Sequence, residues 1–104
     1  MALYNEHGHL VVDLEFSNIS QVTLCEPKGK HVRQIQRSVN NWAEVHKSSP
    51  DEMTAISIAL CVLSVEPKLT LADLDDLDAA DFYKLGEGLS EFRFFRNFGK
   101  SKKA

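Results

Sequence analysis

"SSPDEMTAISIALCVLSVEP", residues 48–67, carries the clearest secondary-structure pattern of the chain. Apolar residues recur in this stretch at helical spacings of three and four, and other apolar residues flank them. The predicted stripe consists of Met53, Ile56, Leu60 and Leu63. Because a helix that is apolar on most of its sides must be buried, this segment is predicted to form the centre of the domain.

Both ends of this helix carry recognisable signals. Ser49 is predicted to be the N-cap, with Pro50 at the first helical position, where its missing N–H costs nothing. Glu52 follows Ser49 by three residues and would complete a capping box. Pro67 is predicted to end the helix.

The segments before the central helix predict a β-hairpin followed by an amphipathic helix. Residues 9–16, "HLVVDLEF", alternate with period two and place one apolar set on a single face: Leu10, Val12, Leu14 and Phe16. "QVTLCEP", residues 21–27, would form the second strand and end at Pro27. Residues 30–47 change to helical period, with an apolar face of Val32, Ile35, Val39, Trp42 and His46.

The segment after the central helix, "LTLADLDDLDAADFYKL" at residues 69–85, predicts two successive helix starts. Thr70 with Asp73 and Asp78 with Asp81 have the spacing of capping boxes. The leucines between them recur every three residues and are expected to face the core: Leu71, Leu74 and Leu77. A last helix continues the core face with Phe82, Leu85, Leu89 and Phe92, and Gly86 and Gly88 within it suggest a kink or a close backbone contact.

These elements predict an α+β fold, in which a small N-terminal antiparallel β-hairpin packs on a bundle of about four α-helices. Residues 1–98 are expected to form a single domain and residues 99–104 a disordered basic tail. The net charge of −3 argues against binding to nucleic acid. The chain has neither a signal peptide pattern nor an apolar run long enough to span a bilayer, so it is predicted to be soluble and intracellular. Cys25 and Cys61 match no zinc or redox spacing and are expected to be free thiols.

The acidic and histidine-containing segments contain residue types that can bind metal ions. A calcium loop needs a glycine for its turn and converging carboxylates, whereas the leucine spacing around Asp73, Asp75 and Asp76 is helical and would make them diverge. His7 and His9 could face the same side of a strand, but no third ligand is near them in the sequence. The prediction is therefore that the chain binds no metal or other cofactor.

An enzyme would require an activated nucleophile, and only a cysteine paired with a histidine could supply one. Cys61 lies in the most apolar helix, where a thiol is normally inert, and Cys25 has no motif around it. A non-enzymatic function is therefore predicted. Metal-dependent activity and a regulatory adaptor are the alternatives from other classes.

Aromatic residues near the C-terminus predict a protein interface. In "SEFRFFRNF", residues 90–98, Phe94, Phe95 and Phe98 cannot all point inward on one helix. Either they form an exposed aromatic patch, or the helix end curls over the hairpin and buries them. With the aspartates that no cap requires, the candidate partner-binding residues are Asp75, Asp76, Arg93, Phe94, Phe95 and Phe98.

The order of these features resembles that of the tail assembly chaperones of long-tailed bacteriophages and prophages, especially the group of the Mu-like prophage tail protein. A "V-T-L-x-x-P" strand precedes the helices, and an "L-x-x-L-x-x-L-x-x-x-D-F/Y" element precedes "F-F". The matching residues lie within about 20–96 and are Val22, Thr23, Leu24, Pro27, Leu71, Leu74, Leu77, Asp81, Phe82, Phe94 and Phe95.

The resemblance implies a protein that binds the tape-measure protein while the tail tube assembles, with the tail tube protein as a further candidate partner. It implies a location in the bacterial host cytoplasm and absence from the mature virion. It also implies that this chain is the short form of a pair whose longer form arises by frameshifting. A structural tail or baseplate component and a small intracellular adaptor remain as alternatives. Self-association through the edge of the hairpin is a further expectation.

Overall fold

A computed structural model describes residues 3–95 of the chain. Within these residues, four strands and four helices follow one another in the order β1 (Leu3–Tyr4), β2 (Leu10–Asp13), β3 (Gln21–Leu24), α1 (Gly29–His46), α2 (Glu52–Leu63), β4 (Ser64–Glu66), α3 (Leu71–Asp75) and α4 (Ala79–Leu89). The predicted α+β class is confirmed, with the predicted hairpin present as β2 and β3. Phe98 and the predicted basic tail, 99–104, lie outside the described residues.

The sheet contains two strands more than the predicted hairpin. All its neighbours are antiparallel, in the order β1-β2-β3-β4, and Val12 lies opposite Val22 and Leu10 opposite Leu24. The hairpin strands therefore form the centre of the sheet, and two strands of two and three residues form its edges. Such short edges leave few unpaired backbone groups for another chain to join.

The core lies between one face of the sheet and the helices α2 and α4. Alternate residues of β2 and β3 are buried because a strand points successive side chains to opposite faces. The buried residues of the sheet, α2 and the C-terminal part form one cluster, which includes Leu10, Val12, Val22, Leu24, Leu60, Leu63, Leu85, Leu89 and Phe92. The prediction that residues 48–67 supply the centre of the domain is confirmed.

The ends of α2 differ from the prediction. Asp51, not Ser49, is the N-cap, and its carboxylate accepts the N–H of Thr54 at 2.8 Å. The helix ends at Leu63 rather than at Pro67, because the chain turns extended at Ser64 and pairs with β3 as β4. The Lys68 ammonium donates to the carbonyls of Val62 and Ser64, which supplies hydrogen bonds at the C-terminal end of the helix.

Several residues predicted to face the core are exposed. Phe16 is 66% exposed because β2 ends at Asp13 and the chain then leaves the strand. Met53, in the first turn of α2, is 51% exposed. Leu71 is 37% exposed, whereas Leu74 is buried and Leu77 half-buried, so the three leucines do not share one environment. His46 is exposed, and its ring stacks on Trp42 instead of packing into the core.

The predicted capping of the last two helices is largely confirmed. Thr70 and Asp73 form a reciprocal capping box at the start of α3. The carboxylate of Asp78 accepts the N–H of Ala80 at the start of α4. Asp81, by contrast, is not the second half of a capping box, because its carboxylate is directed at residues that follow β2.

Candidate functional site

An open groove of about 850 Å³, which we call the C-terminal groove, lies between α1, α2 and the end of α4. Its apolar lining comes from one face of α1, from small and branched residues of α2, and from the residues after α4: Val32, Ile35, Val39, Ala55, Ile56, Ala59, Leu89, Phe94 and Phe95. This volume lies within the range of protein sites that hold ligand side chains or small molecules.

The aromatic border of the groove is positioned by the turn that follows α4. The N–H groups of Glu91 and Phe92 donate to the carbonyls of Gly88 and Leu89, which keeps the chain close to the helix end. Phe92 is buried in the core and anchors this turn. Phe94 and Phe95 follow, half-buried, with their rings 4.9 Å apart in an edge-to-face arrangement. Both line the C-terminal groove.

The charged residues that line the groove are acidic. Asp51 and Glu52, at the start of α2, are both exposed and belong to the lining. Hydrogen bonds from Thr54 hold the pKa of the Asp51 carboxyl below its usual value, so this group is ionised at neutral pH. The groove thus combines an apolar floor with negative charge beside the N-terminus of α2.

Helix α1 covers the core incompletely. None of its residues is fully buried, although Val32, Ile35, Val39 and Trp42 on its apolar face are half-buried against α2. The helix therefore leaves apolar surface open along its flanks. The C-terminal groove follows one flank, and a second groove of about 740 Å³ follows the other.

The second groove differs in charge from the first. Its lining includes the cationic side chains of Arg37 and Lys68, together with Trp42 and His46 from the end of α1. The imidazole of His46 lies parallel to the Trp42 ring, with 4.0 Å between the ring centroids. The Lys68 ammonium donates to the carbonyls of Val62 and Ser64 at the C-terminal end of α2, and Arg37 is exposed.

The structure does not bring all the predicted partner-binding residues together. Asp75 and Asp76 are exposed at the end of α3, just before α4 begins, whereas Arg93, Phe94 and Phe95 follow the end of α4. The 11 residues of α4 separate the two groups by about 16 Å at 1.5 Å per residue. Phe98 lies outside the described residues. The aspartates and the phenylalanines are therefore parts of two separate surfaces.

Asp81 has a structural role that the sequence did not reveal. Its carboxylate accepts the N–H groups of Glu15 and Phe16, each at 3.0 Å, and the Ser17 hydroxyl at 2.6 Å. The same hydroxyl accepts the N–H of Asp78, so Ser17 joins the start of α4 twice. These donors lie near α4 because of the path that the chain takes after β2. Neither the spacing of residues around Asp81 nor the composition of the chain predicts that path.

The cysteine–histidine pairing considered in the sequence exists, but with the wrong proton arrangement for a nucleophile. Nδ1 of His31 accepts the N–H of Lys28 at 2.9 Å, which places the proton of the neutral ring on Nε2. That nitrogen lies 3.5 Å from Sγ of Cys25 and can only donate to it, so it cannot remove the thiol proton. Burial raises the pKa of the Cys25 thiol, and burial likewise raises that of Cys61. Both cysteines are free.

No group of three or more His, Cys, Asp or Glu side chains within residues 3–95 could hold a metal ion. None of the helices described here combines the length and the apolar character that crossing a membrane requires.

A small α+β domain with an open, aromatic-bordered apolar groove has the features of a protein-binding module. The chain belongs to a family of phage tail assembly chaperones: residues 11–93 match the family model described as "Phage tail assembly chaperone proteins, E, or 41 or 14". The predicted family resemblance is thereby confirmed. No curated protein and no solved structure matches the chain significantly.

Proposed function

We propose that this tail assembly chaperone acts without enzymatic chemistry by binding the phage tape-measure protein while the tail tube forms around it. The C-terminal groove is the observation that carries the proposal, because it offers apolar surface that residues 3–95 leave open. A long helical protein that awaits assembly exposes apolar faces and needs such a surface to stay soluble. The family match supports the chaperone part of this proposal.

A helix of the partner is the segment that suits this groove best. Amphipathic helices bind in apolar grooves through side chains spaced by three, four and seven residues. The small side chains of Ala55 and Ala59 on α2 leave room for such anchors, and Phe94 and Phe95 border them. Asp51 and Glu52 would favour a partner segment with basic residues beside its apolar face.

The remaining predicted residues belong to the same proposal as a second contact area. Arg93 is exposed beside the phenylalanines, and Phe98 follows them in the sequence. Asp75 and Asp76 lie at the other end of α4, where they could contact a second part of a long partner. Charge reversal of Asp75 and Asp76 should therefore weaken binding without altering contacts in the groove.

Co-expression with the tape-measure protein tests the proposal. We expect the chaperone to raise the fraction of tape-measure protein in the soluble fraction. The variant Ala55→Glu, which places charge in the groove lining, should abolish this effect, whereas Ala80→Glu, at an exposed position of α4, should not. Equal solubility of the tape-measure protein with and without the chaperone would refute the proposal.

The proposal also includes the place of action, which is the host cytoplasm rather than the finished particle. Mass spectrometry of purified virions distinguishes the chaperone from a structural tail or baseplate component. We expect no peptides of this chain in the particles. Recovery of the chain at a fixed ratio to the tail proteins would favour the structural alternative.

A further inference from the structure

We infer that two copies of the chain associate through the second groove, with Arg37 of each copy facing Asp75 of the other across a twofold axis. The second groove follows the flank of α1 opposite to the one that carries the C-terminal groove. The two grooves share no lining residue, so the dimer does not depend on the proposed function.

The second groove has exposed apolar side chains on two of its elements. Val45, near the end of α1, is 67% exposed, and Leu71, at the start of α3, is 37% exposed. Both line the groove, together with the half-buried ring of Trp42 and the buried side chains of Val62 and Leu69. Within residues 3–95, this surface is therefore an apolar patch of the kind that another protein surface covers.

The α1 side of the second groove carries a cation at one end and an apolar side chain at the other. Arg37, Asn41 and Val45 follow one another at intervals of four residues, so they lie in one row along the helix. All three are exposed. The row extends over about 12 Å, at 1.5 Å per residue.

The α3 side of the second groove carries the opposite charge. Asp75 follows Leu71 by four residues, so the two lie on the same face of α3, about 6 Å apart along its axis. Asp75 is exposed and takes no part in the capping of α3, which uses Thr70 and Asp73. A cation on α1 and a carboxylate on α3 therefore flank the same apolar surface.

A second copy is the occupant that suits both sides of this groove. In a twofold dimer both copies use the same surface, so each contact between two different residues occurs twice. Rotation by 180° sets the cationic side of each copy against the acidic side of the other, with Val45 and Leu71 between the charges. A partner with charges of one sign would be attracted by one side and repelled by the other.

The dimer is expected to be weak, because it uses one groove of about 740 Å³ and the two elements beside it. Small interfaces are transient, and we expect a dissociation constant on the order of 50 µM. The protein is then monomeric in dilute solution and dimeric at high concentration. If Asp75 also contacts the tape-measure protein, the second copy and that partner compete for it, a consequence that rests on the proposed function.

Sedimentation velocity of the full chain, from about tenfold below to tenfold above the expected constant, tests the charge pairing. Arg37→Glu and Asp75→Arg should each raise the dissociation constant about tenfold or more at low salt, since like charges replace two ion pairs. An equimolar mixture of these two variants should associate about as well as the wild type, because both contacts are again attractive. Arg33→Glu, an equal change of charge at an exposed position outside the groove lining, should stay within about twofold of wild type.

A second pair of variants tests the apolar contact. Val45→Gln should raise the dissociation constant at least about fivefold, because the substitution removes two apolar contacts from a twofold interface. Tyr83→Gln, at a 72% exposed ring outside the groove lining, should have no such effect. An unchanged near-ultraviolet circular dichroism spectrum of the Trp42 region shows that Val45→Gln is folded.

Three results would overturn the inference. The first is a single monomeric species at every concentration. The second is a dimer whose affinity Arg37→Glu and Val45→Gln leave unchanged, which would place the contact elsewhere, for example at the edge of the sheet. The third is a mixture of Arg37→Glu and Asp75→Arg that associates no better than either variant alone, because the two residues would then not face each other.

Discussion

Asp81 shows how one side chain can fix the connection between two parts of this fold. It is 2% exposed, and burial by itself would raise the pKa of its carboxyl. Hydrogen bonds from Ser17, Glu15 and Phe16 outweigh that effect and hold the pKa below its ordinary value of 3.8. The ionised carboxylate thus joins α4 to the segment after β2.

The low pKa of Asp81 predicts a loss of stability in acid. The folded protein binds fewer protons at this site than the unfolded chain, so the stabilisation is complete above the ordinary pKa and is lost as the pH falls through the folded-state pKa. Asp81→Asn should lower the Tm at neutral pH and flatten its decrease in acid. Thermal unfolding from about pH 7 to about pH 3 measures both effects. Asp75 is exposed, so Asp75→Asn should have the same Tm and the same pH dependence as the wild type. If Asp81→Asn also matches the wild type, the Asp81 carboxylate does not stabilise the fold.

His31 predicts a second pH effect at milder acidity. Burial first, and then the neighbouring Lys30, Lys28 and Lys68, lower the pKa of its imidazole below 6.5. Protonation requires Nδ1, which accepts the Lys28 N–H at the start of α1. Below pH 6.5 the unfolded chain binds a proton at this site more readily than the folded protein. The free energy of unfolding should therefore decrease as the pH falls from 6.5 to the lower folded-state pKa of His31, and then level off.

Hydrogen exchange of the amides in the first turn of α1 measures this change. Exchange should speed up relative to the intrinsic rate as the pH falls below 6.5, and His31→Gln, whose side chain keeps an acceptor but does not titrate, should remove the dependence. Equal pH dependence in the wild type and in His31→Gln would contradict the role assigned to the imidazole.

At the level of elements, α3 and α4 show what the sequence pattern determines and what it does not. Caps act through contacts that span only two or three residues, so Thr70 and Asp78 could be predicted from sequence. Burial depends on what packs against each helix, so the equal spacing of Leu71, Leu74 and Leu77 did not reveal their different environments. Strand β4 was not predicted for the same reason: it depends on pairing with β3, about forty residues away in the sequence.

The two leucines of α3 give a quantitative test of this distinction. Leu74→Ala should lower the free energy of unfolding by about 2–5 kcal/mol because it empties a buried position. Leu71→Ala should lower it by no more than about 1 kcal/mol, since that side chain is 37% exposed. Urea denaturation measures both values, and equal losses would mean that both leucines are buried as the sequence suggested.

The glycines of α4 provide a second test at this scale. A Cβ on Gly88 would lie 3.3 Å from Cγ2 of Val12 and 3.5 Å from Cδ2 of Leu10. The backbone of α4 at Gly88 therefore packs directly against side chains of β2. At Gly86 the nearest atom, Cγ2 of Ile56, is 3.9 Å away. Gly86→Ala should stabilise the protein by about 1 kcal/mol through helix propensity. Gly88→Val should destabilise it by about 1–3 kcal/mol through overpacking. The reverse order in thermal unfolding would contradict this packing.

For the whole molecule, periodicity and capping predicted the α+β class, the four helices and the central hairpin. The C-terminal groove could not be predicted, because it lies between α1, α2 and the end of α4 and depends on how these segments pack in three dimensions. Phe94 and Phe95 were predicted to be interface residues because the segment contains more phenylalanines than one helix can bury, and the structure places both in the lining of the C-terminal groove. Their separation from Asp75 and Asp76 follows from the length of α4 and became visible only in three dimensions.

The central claim is that the C-terminal groove binds the tape-measure protein. Affinity purification of the tape-measure protein co-expressed with either of two matched chaperone variants tests it most directly. Phe94→Ala, in the groove border, should reduce the co-purified chaperone at least about tenfold, as expected for an aromatic anchor, whereas Tyr83→Ala should leave it within about twofold of wild type. Wild-type recovery of Phe94→Ala, with the loss confined to Tyr83→Ala, would place binding outside the groove and contradict the account.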